Sequence, residues 1–229
     1  MPQNIFVTGT DTAIGKTWVS LGIIAVLQDM GISTVGMKPV ASGCQPTEMG
    51  LRNEDAERLQ RQSSIEVDYD LINPFAFEPA IAPHIAAAEV GCEISIDKIV
   101  SCYQVLADKA ECCVVEGVGG WLVPLTPRET VADLVRRLEL PVILVVGIRL
   151  GCINHALLSV ESIRRGGIEL SGWVANQSDP EVERGEENIL TLEERIDAPL
   201  LARIPCFSQP SISEFARRMA SSTVISRLR

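Results

Sequence analysis

Near the start of the chain stands Ile5-Phe6-Val7-Thr8-Gly9-Thr10-Asp11-Thr12-Ala13-Ile14-Gly15-Lys16-Thr17, an apolar run that passes into a loop bounded by glycines. The apolar run predicts a buried strand, and the spacing of apolar residues after Lys16 predicts a helix. Between them, glycines let backbone N–H groups wrap a phosphate, Lys16 can reach the β- and γ-phosphates, and Thr17 offers a hydroxyl to Mg²⁺. The loop is one residue longer than the usual G-x-x-x-x-G-K-[ST] spacing, yet strand, loop and helix follow in the required order. This segment therefore predicts a phosphate-binding loop, or P-loop, that holds a nucleotide.

The same alternation of strand and helix continues along the chain. Runs rich in β-branched residues predict strands at Ile5–Thr8, Thr34–Val40, Cys112–Glu116, Val142–Gly147, Gly172–Asn176 and Leu200–Ile204. Helices are predicted at Lys16–Met30, Asn53–Gln62, Ser95–Ala110, Thr130–Leu138, Cys152–Arg165 and Glu186–Arg195. Because the strands are apolar on both faces, they suit a buried parallel sheet. The pattern predicts one α/β domain over residues 1–229, a P-loop NTPase-like open, mainly parallel sheet with helices on both faces.

One region interrupts this rhythm. Ala41 to Glu93 shows no clear strand and is rich in proline, and its only predicted helix is Asn53–Gln62. Asn73 to Pro83 is expected to be extended chain. Because long loops inside compact domains usually carry function, we expect this region to contribute to a binding site.

Composition excludes several classes of function. The formal net charge is −10, from 30 acidic and 20 basic residues, and no long basic block is present. A surface for nucleic acid or for an anionic membrane is therefore not expected. The longest apolar run, Leu140 to Ile148, is far shorter than the ~20 residues that cross a bilayer. The seven cysteines form no C-x-x-C pair, so we expect free thiols in a reducing compartment. Met1 to Thr8 has no basic stretch followed by a long apolar one, so we expect no signal peptide and a cytoplasmic location.

A second motif adds a lysine to the P-loop. Met37-Lys38-Pro39-Val40-Ala41-Ser42-Gly43 places Lys38 near the carboxyl end of the second predicted strand. In an open α/β sheet, the carboxyl ends of the strands form the ligand-binding edge. Lys38 is therefore a candidate contact for an anion held by the P-loop.

Two carboxylates are candidates for a metal site. Glu116 ends the apolar strand Cys112–Glu116 and is followed by Gly117-Val118-Gly119-Gly120, the layout of a strand-borne acid in P-loop proteins. Asp55 lies at the start of the predicted helix Asn53–Gln62. Either carboxylate can bind Mg²⁺ directly or through water.

Taken together, these segments resemble the dethiobiotin synthetase family. The resemblance runs in order from Ile5 to about Pro205. Its blocks are Phe6-Val7-Thr8-Gly9-Thr10-Asp11-Thr12, Gly15-Lys16-Thr17, Lys38-Pro39-Val40-Ala41-Ser42-Gly43, Gly50-Leu51-Arg52-Asn53 with Asp55, Val115-Glu116-Gly117 with Gly119-Gly120-Trp121, Gly151-Cys152-Ile153-Asn154-His155 and Gly172-Trp173-Val174-Ala175-Asn176.

The resemblance implies a ligase of biotin biosynthesis that uses ATP and Mg²⁺. Its substrates would be 7,8-diaminononanoate and CO₂, and its products dethiobiotin, ADP and phosphate. The reaction would pass through a carbamate and a carbamic-phosphoric anhydride before the second amine closes the ring. The resemblance also implies a homodimer, with neither nucleic acid nor membrane as a partner.

The family's site residues carry over by motif. Catalysis falls on Lys38 and Lys16. Nucleotide binding falls on Thr12, Ala13, Ile14, Gly15, Lys16, Thr17, Trp18, Asp55, Glu116, Gly117, Val118, Gly119, Asn176, Gln177, Pro205, Cys206 and Phe207. Substrate binding falls on Thr12, Lys38, Ser42, Leu150, Gly151, Cys152 and Asn154. The metal ligands would be Thr17, Asp55 and Glu116.

One departure from the family keeps alternatives open. In well-known members, the helix after the Val-Ala-Asn strand carries a tyrosine that reaches the partner subunit's substrate carboxylate. Here Asn188 lies in that stretch, and the chain's two tyrosines are Tyr69 and Tyr103. A degenerate paralogue or an enzyme for another diamine is therefore one alternative. Another is a dimer-switch ATPase of the partitioning or positioning type, although such proteins usually carry an extra lysine where this chain has Thr10.

Overall fold

The computed structural model describes residues 3–177, 179–220 and 226. Its strands are β1 (Ile5–Gly9), β2 (Thr34–Met37), β3 (Val40–Ser42), β4 (Gln45–Thr47), β5 (Gly50–Arg52), β6 (Phe75–Phe77), β7 (Cys112–Glu116), β8 (Val142–Gly147), β9 (Leu170–Asn176) and β10 (Leu200–Ile204). Its helices are α1 (Lys16–Asp29), α2 (Glu54–Gln62), α3 (Tyr69–Ile72), α4 (Pro83–Glu89), α5 (Ile96–Ala107), α6 (Val131–Leu138), α7 (Cys152–Arg165), α8 (Gly185–Arg195) and α9 (Ile212–Met219).

The centre of the molecule is a six-stranded sheet in the order β10-β9-β8-β1-β7-β2. Every neighbouring pair in it is parallel. The strand order requires crossovers, and helices supply them, as apolar strands separated by helical segments predict. The P-loop NTPase-like parallel sheet expected from the sequence is confirmed.

Helices cover both faces of this sheet. Along β8, Ile143 and Val145 pack with residues of α1 and α9, whereas Leu144 and Val146 pack with residues of α7 and α8. Phe6 in β1 belongs to a further cluster with residues of α5 and α6. Because alternate side chains enter two apolar layers, the strands have no polar face, and this explains their unbroken apolar runs.

The second predicted strand is shorter than the sequence indicated. Thr34–Val40 was expected to be continuous, but β2 ends at Met37. Lys38 donates its backbone N–H to Ile72 outside the sheet at 2.9 Å, and Pro39 has no N–H to continue a ladder. Val40 then starts β3, which pairs in parallel with β6 instead.

The expectation of no strand between Ala41 and Glu93 is wrong. This region contains most of β3 together with β4, β5 and β6, and also the short helices α3 and α4. Each of these strands has three residues, which is too short for an apolar period to be visible in the sequence. Asn73–Pro83 is extended only in part, because Pro83 begins α4.

The carboxyl-terminal helix α9 was not predicted. Ser211 caps it by accepting the backbone N–H of Glu214 at 3.3 Å, and Phe215 and Met219 bury their side chains against the rest of the molecule. The Ser-x-x-Glu pattern before an apolar pair was a sequence signal for this helix. None of the helices in the described ranges combines the length and hydropathy that a bilayer crossing needs.

Candidate active site

Six strand ends meet at one edge of the sheet, because all strands of the central sheet are parallel. A cavity of about 800 Å³ opens at this edge. The P-loop after β1, Lys38 after β2 and Glu116 at the end of β7 line one part of it. Asn176 at the end of β9 and Pro205 after β10 line another. The topology thus assembles residues that are far apart in sequence, as the ligand-binding edge of an open α/β sheet requires.

The P-loop is held by its own backbone and by β9. Gly15 precedes α1 with φ 84°, a left-handed conformation that glycine adopts without strain. Asn176 donates its side-chain N–H to the carbonyl oxygen of Ile14 at 2.7 Å. Lys16 folds back so that Nζ donates to the carbonyl oxygen of Asp11 at 2.6 Å. These contacts fix the shape of the loop.

We predict that Gly15→Ala weakens nucleotide binding by at least about ten-fold, because a Cβ there would lie 2.3 Å from Nδ2 of Asn176. The new methyl group must displace Asn176 or distort the loop. Gly31→Ala is the matched control, since Gly31 has φ +78° but no atom within 4 Å of its Cβ position. Titration calorimetry with a non-hydrolysable ATP analogue measures the effect. Equal affinities for the two variants would contradict the collision.

Lys38 is the centre of a buried cluster of charges. Its ammonium contacts Oε1 of Glu116 in a very short ion pair and lies 3.4 Å from Oδ2 of Asp55. Thr17 donates its hydroxyl to the same Oε1 at 2.9 Å. Lys38 is 5% exposed and Glu116 is 1% exposed. At such burial an unpaired charge would be costly, so the cluster is stable only because its charges compensate one another.

The two lysines respond to this environment in opposite directions. Burial, together with the nearby charge of Lys38, lowers the pKa of Lys16 to about 8. Burial also disfavours the charged form of Lys38, but the attraction of Glu116 and Asp55 outweighs it and raises the pKa of Lys38. Lys38 is therefore a firmly protonated cation. Lys16 loses its proton more easily, and an anion bound at the P-loop would raise the pKa of Lys16 and favour its charged form.

The oxygen atoms near Lys38 fit a magnesium ion. Oε2 of Glu116 is buried without a hydrogen-bond partner among the described residues. Thr17 and Asp55 contribute a hydroxyl and a carboxylate that line the same cavity. The described part of the chain contains no group of three or more His, Cys, Asp or Glu placed to hold a metal. Two carboxylates and a hydroxyl suit Mg²⁺, which is usually held by one or two carboxylates together with waters and phosphate oxygens.

Most of the predicted site residues line the cavity. The exceptions are Gly117, Leu150, Gly151, Cys152 and Asn154. Gly117 lies just behind the cluster, where its carbonyl oxygen is 3.5 Å from Nζ of Lys38.

The turn before α7 is the part of the predicted substrate site that lies outside the cavity. Gly151 caps α7 with φ 90°, Leu150 is 99% exposed, and Cys152 is buried in the core. Arg149, just before the turn, forms an ion pair with Asp11 of the P-loop. The turn is therefore connected to the P-loop, although it does not line the same cavity.

Sequence reasoning missed several residues of the cavity wall. Ala80-Ile81-Ala82-Pro83 leads into α4 and forms part of the wall. Phe215 of α9 is another part, and it stacks on Trp18 with ring centroids 5.7 Å apart. The proline-rich region was the only sequence signal for the first group, and for Phe215 the signal was the capping pattern of α9.

Comparison with known proteins agrees with this geometry. A model of the AAA domain family (AAA_26) matches residues 3–211. The "ATP-dependent dethiobiotin synthetase BioD" of Pseudomonas aeruginosa (strain UCBPP-PA14) is 55% identical over 201 residues, which are 87% of this chain and 88% of that protein. The protein of the same name from Cellvibrio japonicus (strain Ueda107) is 52% identical over 206 residues, which are 90% of each chain.

Solved structures of low sequence identity share the fold. The septum site-determining protein MinD of Pyrococcus horikoshii OT3, complexed with Mg-ADP, matches with a TM-score of 0.58 at 15% identity, over 100% of this chain and 93% of that one. A ParA family ATPase from Chlorobium tepidum TLS matches with a TM-score of 0.57 at 14% identity, over 99% of each chain. At such identities the likeness concerns the fold alone. Identity above 50% over nearly nine-tenths of both chains places this chain in the family of ATP-dependent dethiobiotin synthetases, BioD.

Proposed function

We propose that this chain carboxylates 7,8-diaminononanoate with CO₂ and closes the product into dethiobiotin, with ATP converted to ADP and phosphate. The observation that carries the proposal is the cluster of Lys38, Glu116, Asp55 and Thr17 beside the P-loop in one cavity. A P-loop alone serves many reactions. Lys38 is a second buried lysine that lines the same cavity as Lys16. Two cations there suit a reaction in which two anions, the carbamate and the γ-phosphate, have to come together.

The reaction consists of three steps, and each forms one bond. One amine attacks CO₂ and loses a proton, which gives a carbamate. A carbamate oxygen then attacks the γ-phosphorus of ATP, and the bond from that phosphorus to the β-bridging oxygen of ADP breaks. Finally the second amine attacks the carbonyl carbon and loses a proton, the C–O bond to phosphate breaks, and inorganic phosphate leaves with the urea ring closed.

The charges of the site suit the second step. Carbamate and γ-phosphate are both anions, so their approach is opposed by electrostatic repulsion. Lys38 and Lys16 place two cations at the cavity, and the P-loop adds backbone N–H groups at the start of α1. Contacts with the protein hold both lysines at the cavity, so the two cations stand close to where the anions would bind.

Magnesium would be held by Thr17, Asp55 and Glu116. When bound, the ion would neutralise charge on the phosphates. Lys38 contacts Oε1 of Glu116, so it compensates the carboxylate charge. We infer that Lys38 gives up part of this contact when it turns to the carbamate and the phosphate.

The remaining predicted contacts extend along the cavity. Asn176 and Gln177 at β9 and Pro205, Cys206 and Phe207 after β10 would border the adenine base. Asn176 already uses one side-chain N–H on the P-loop, which leaves its other N–H and its oxygen for the base.

The substrate arm of the cavity would be lined by Thr12 and Ser42. Oγ of Ser42 is buried without a partner among the described residues, so it has a hydrogen bond to offer. Leu150, Gly151, Cys152 and Asn154 would bind the remote carboxylate at the start of α7, where the N–H of Cys152 also donates to the carbonyl oxygen of Arg149 at 3.0 Å.

We also propose a homodimer. Leu122, Leu150 and Leu158 are large apolar side chains that are 59%, 99% and 57% exposed, and a second copy could cover them. Asn188 of α8 would stand where the family's tyrosine reaches the partner's substrate. Light scattering coupled to size-exclusion chromatography tests the assembly, and a mass near the 24.9 kDa of one chain would overturn it.

The proposed activity predicts a strict dependence on the diamine. Incubation with 7,8-diaminononanoate, bicarbonate, Mg²⁺ and ATP should give ADP and the cyclic urea in equal amounts, measured by coupled assay and mass spectrometry. Omission of the diamine is the control and should abolish ADP release. Release of ADP that does not depend on the diamine would contradict the synthetase and favour the dimer-switch ATPase.

A further inference from the structure

Lys38 lies where the chain leaves the central sheet, so its backbone has to find hydrogen-bond partners elsewhere. Its N–H donates to the carbonyl oxygen of Ile72 at 2.9 Å. Its carbonyl oxygen accepts from Nδ2 of Asn73 at 2.6 Å. Ile72 ends α3 and Asn73 caps it. A single short helix thus holds the main chain of the lysine on both sides.

Tyr69 connects that helix to the one that carries Asp55. Its hydroxyl donates to Oδ1 of Asn73 at 3.1 Å and accepts the backbone N–H of Asn53 at 2.8 Å. Asn53 in turn caps α2, since its Oδ1 accepts the N–H of Ala56 at 3.2 Å. Tyr69 and Asn53 are each 8% exposed and Asn73 is 3% exposed, so these bonds are shielded from water.

Together these contacts form a closed ring that starts and ends at Lys38. Asp55 follows Asn53 by two positions and lies 3.4 Å from Nζ of Lys38. The path therefore runs from the carbonyl oxygen of Lys38 through Asn73, Tyr69 and Asn53 to Asp55, and returns to the ammonium of Lys38. We call these five residues the tyrosine circuit. The circuit links the backbone of Lys38 to the helix that carries Asp55.

The hydroxyl of Tyr69 can be separated from the packing of its ring. Arg52 lies over the ring with its Cζ 4.2 Å from the centroid, and phenylalanine at this position would keep that contact. Loss of the hydroxyl alone would leave the N–H of Asn53 and Oδ1 of Asn73 without their present partner. Both groups would then be free to move toward other partners, and the links from α3 to α2 would loosen.

We infer that Tyr69 is a positioning residue whose hydroxyl holds Lys38 and Asp55 in the arrangement that the phosphoryl-transfer step needs. Tyr69 does not line the cavity and touches neither of the two side chains directly. It acts through Asn73 on the backbone of the lysine and through Asn53 on the helix of the carboxylate. The inference rests on the function proposed above.

Tyr69→Phe tests it. We expect kcat for cyclic urea formation to fall about ten-fold, as the loss of a buried hydroxyl that bridges two groups implies. The KM for the diamine should stay within about two-fold, because Thr12 and Ser42, which would line the substrate arm of the cavity, are not part of the circuit. The Mg²⁺ concentration that half-saturates binding of a non-hydrolysable ATP analogue should rise several-fold, since Asp55 is displaced. The last readout involves no turnover.

Tyr103→Phe is the matched control. Tyr103 is the chain's other tyrosine, it lies in α5, and its hydroxyl accepts a hydrogen bond from Nδ2 of Asn4 at 2.8 Å. This variant also loses a partly buried hydroxyl, and it should lower the melting temperature without altering kcat or the Mg²⁺ requirement. If Tyr69 had a purely structural role, Tyr69→Phe would also leave kcat and the Mg²⁺ requirement unchanged, and that result would overturn the inference.

A double-mutant cycle with Asp55→Asn tests the route of the effect. If Tyr69 acts through Asp55, the double variant should lose little more activity than Asp55→Asn alone. Full additivity of the two losses would overturn the inference. Asn73→Asp is a second probe, because it keeps the acceptor for Tyr69 but removes the donor to Lys38, and it should also lower kcat.

The outcomes separate this inference from the proposed function. A wild-type protein that forms no cyclic urea would overturn the function itself. An active wild type with unchanged kcat and Mg²⁺ requirement in Tyr69→Phe would overturn only the role of Tyr69. If Tyr69→Phe and Asn73→Asp both fail to fold, as judged by circular dichroism, the circuit serves folding and the inference is also overturned.

Discussion

Lys38→Met is expected to lower kcat about a thousand-fold, the upper range for removal of one preorganised group that stabilises charge in a transition state. The methionine side chain has a similar length but carries no charge, so carbamate and γ-phosphate would approach without the cation that is now fixed by Glu116 and Asp55. Affinity for the ATP analogue should change far less, because the P-loop and Lys16 remain. Single-turnover formation of ADP and calorimetric titration of the analogue measure the two effects separately.

Lys98→Met is the matched control for this prediction. Lys98 is exposed, its Nζ lies 4.9 Å from the ring centroid of Phe75, and it does not line the cavity. Its replacement should leave kcat within about two-fold of the wild type. If Lys38→Met loses no more activity than this control, Lys38 is not at the reacting centre. If instead analogue binding falls as steeply as kcat/KM, Lys38 is a nucleotide ligand without a special role in transfer.

Glu116→Gln is expected to lower kcat about a hundred-fold and to raise the Mg²⁺ concentration needed for activity. The amide keeps the size of the side chain but removes the charge that pairs with Lys38 and the unpartnered Oε2 that we assign to the metal. Without Mg²⁺, the variant should also unfold more easily, by about 3 kcal/mol, because Asp55 at 3.4 Å is then the one charged partner of Lys38 among the described residues.

Glu111→Gln provides a control near the same strand. Glu111 is exposed at the opposite end of β7, where Oε2 accepts the backbone N–H of Ser33 at 2.9 Å. Activity should be measured over a series of Mg²⁺ concentrations and stability by thermal melting with EDTA. An unchanged Mg²⁺ requirement in Glu116→Gln would remove this carboxylate from the metal site, whatever the loss in kcat.

The dimer-switch alternative is not favoured by the relatives of this chain. Its fold resembles that of MinD and of a ParA family ATPase, but at 15% and 14% identity. The proteins that share more than half of its residues are named dethiobiotin synthetases. Because one fold hosts many activities, the named relatives carry more weight than the shape of the sheet.

Long, strongly patterned segments were predictable from local sequence. The apolar runs of β7, β8 and β10 match the predicted strands residue for residue, and α7 matches its helix. Burial on both faces keeps β7 apolar up to Glu116 and β8 apolar throughout, and in β10 the one exposed residue is Arg203, so consecutive apolar residues predict these strands. The P-loop was equally visible, because the backbone conformation that binds phosphate needs glycine at set positions.

The candidate active site at the ends of these strands depends on contacts between distant residues, which no local sequence pattern predicts. Lys38 was a candidate from its place at a strand end, but its partner Glu116 lies 78 positions away. The strands β3 and β6 form because Pro39 ends one ladder and the chain pairs with a segment more than thirty residues on. No sequence pattern gave a reason to select Tyr69, because its inferred role depends on two hydrogen bonds, to Asn53 and to Asn73.

Sequence therefore specified which elements form and which chemical groups stand at their ends. The prediction of phosphate binding at Gly9 to Thr17 needed nothing further, because the groups it invokes are supplied by neighbouring residues. The pairing of Lys38 with Glu116 and Asp55 was decided only when parallel strands brought their carboxyl ends to one edge of the sheet. Burial then gave that pairing its strength, because charges withdrawn from water must be compensated by partners close in space rather than in sequence.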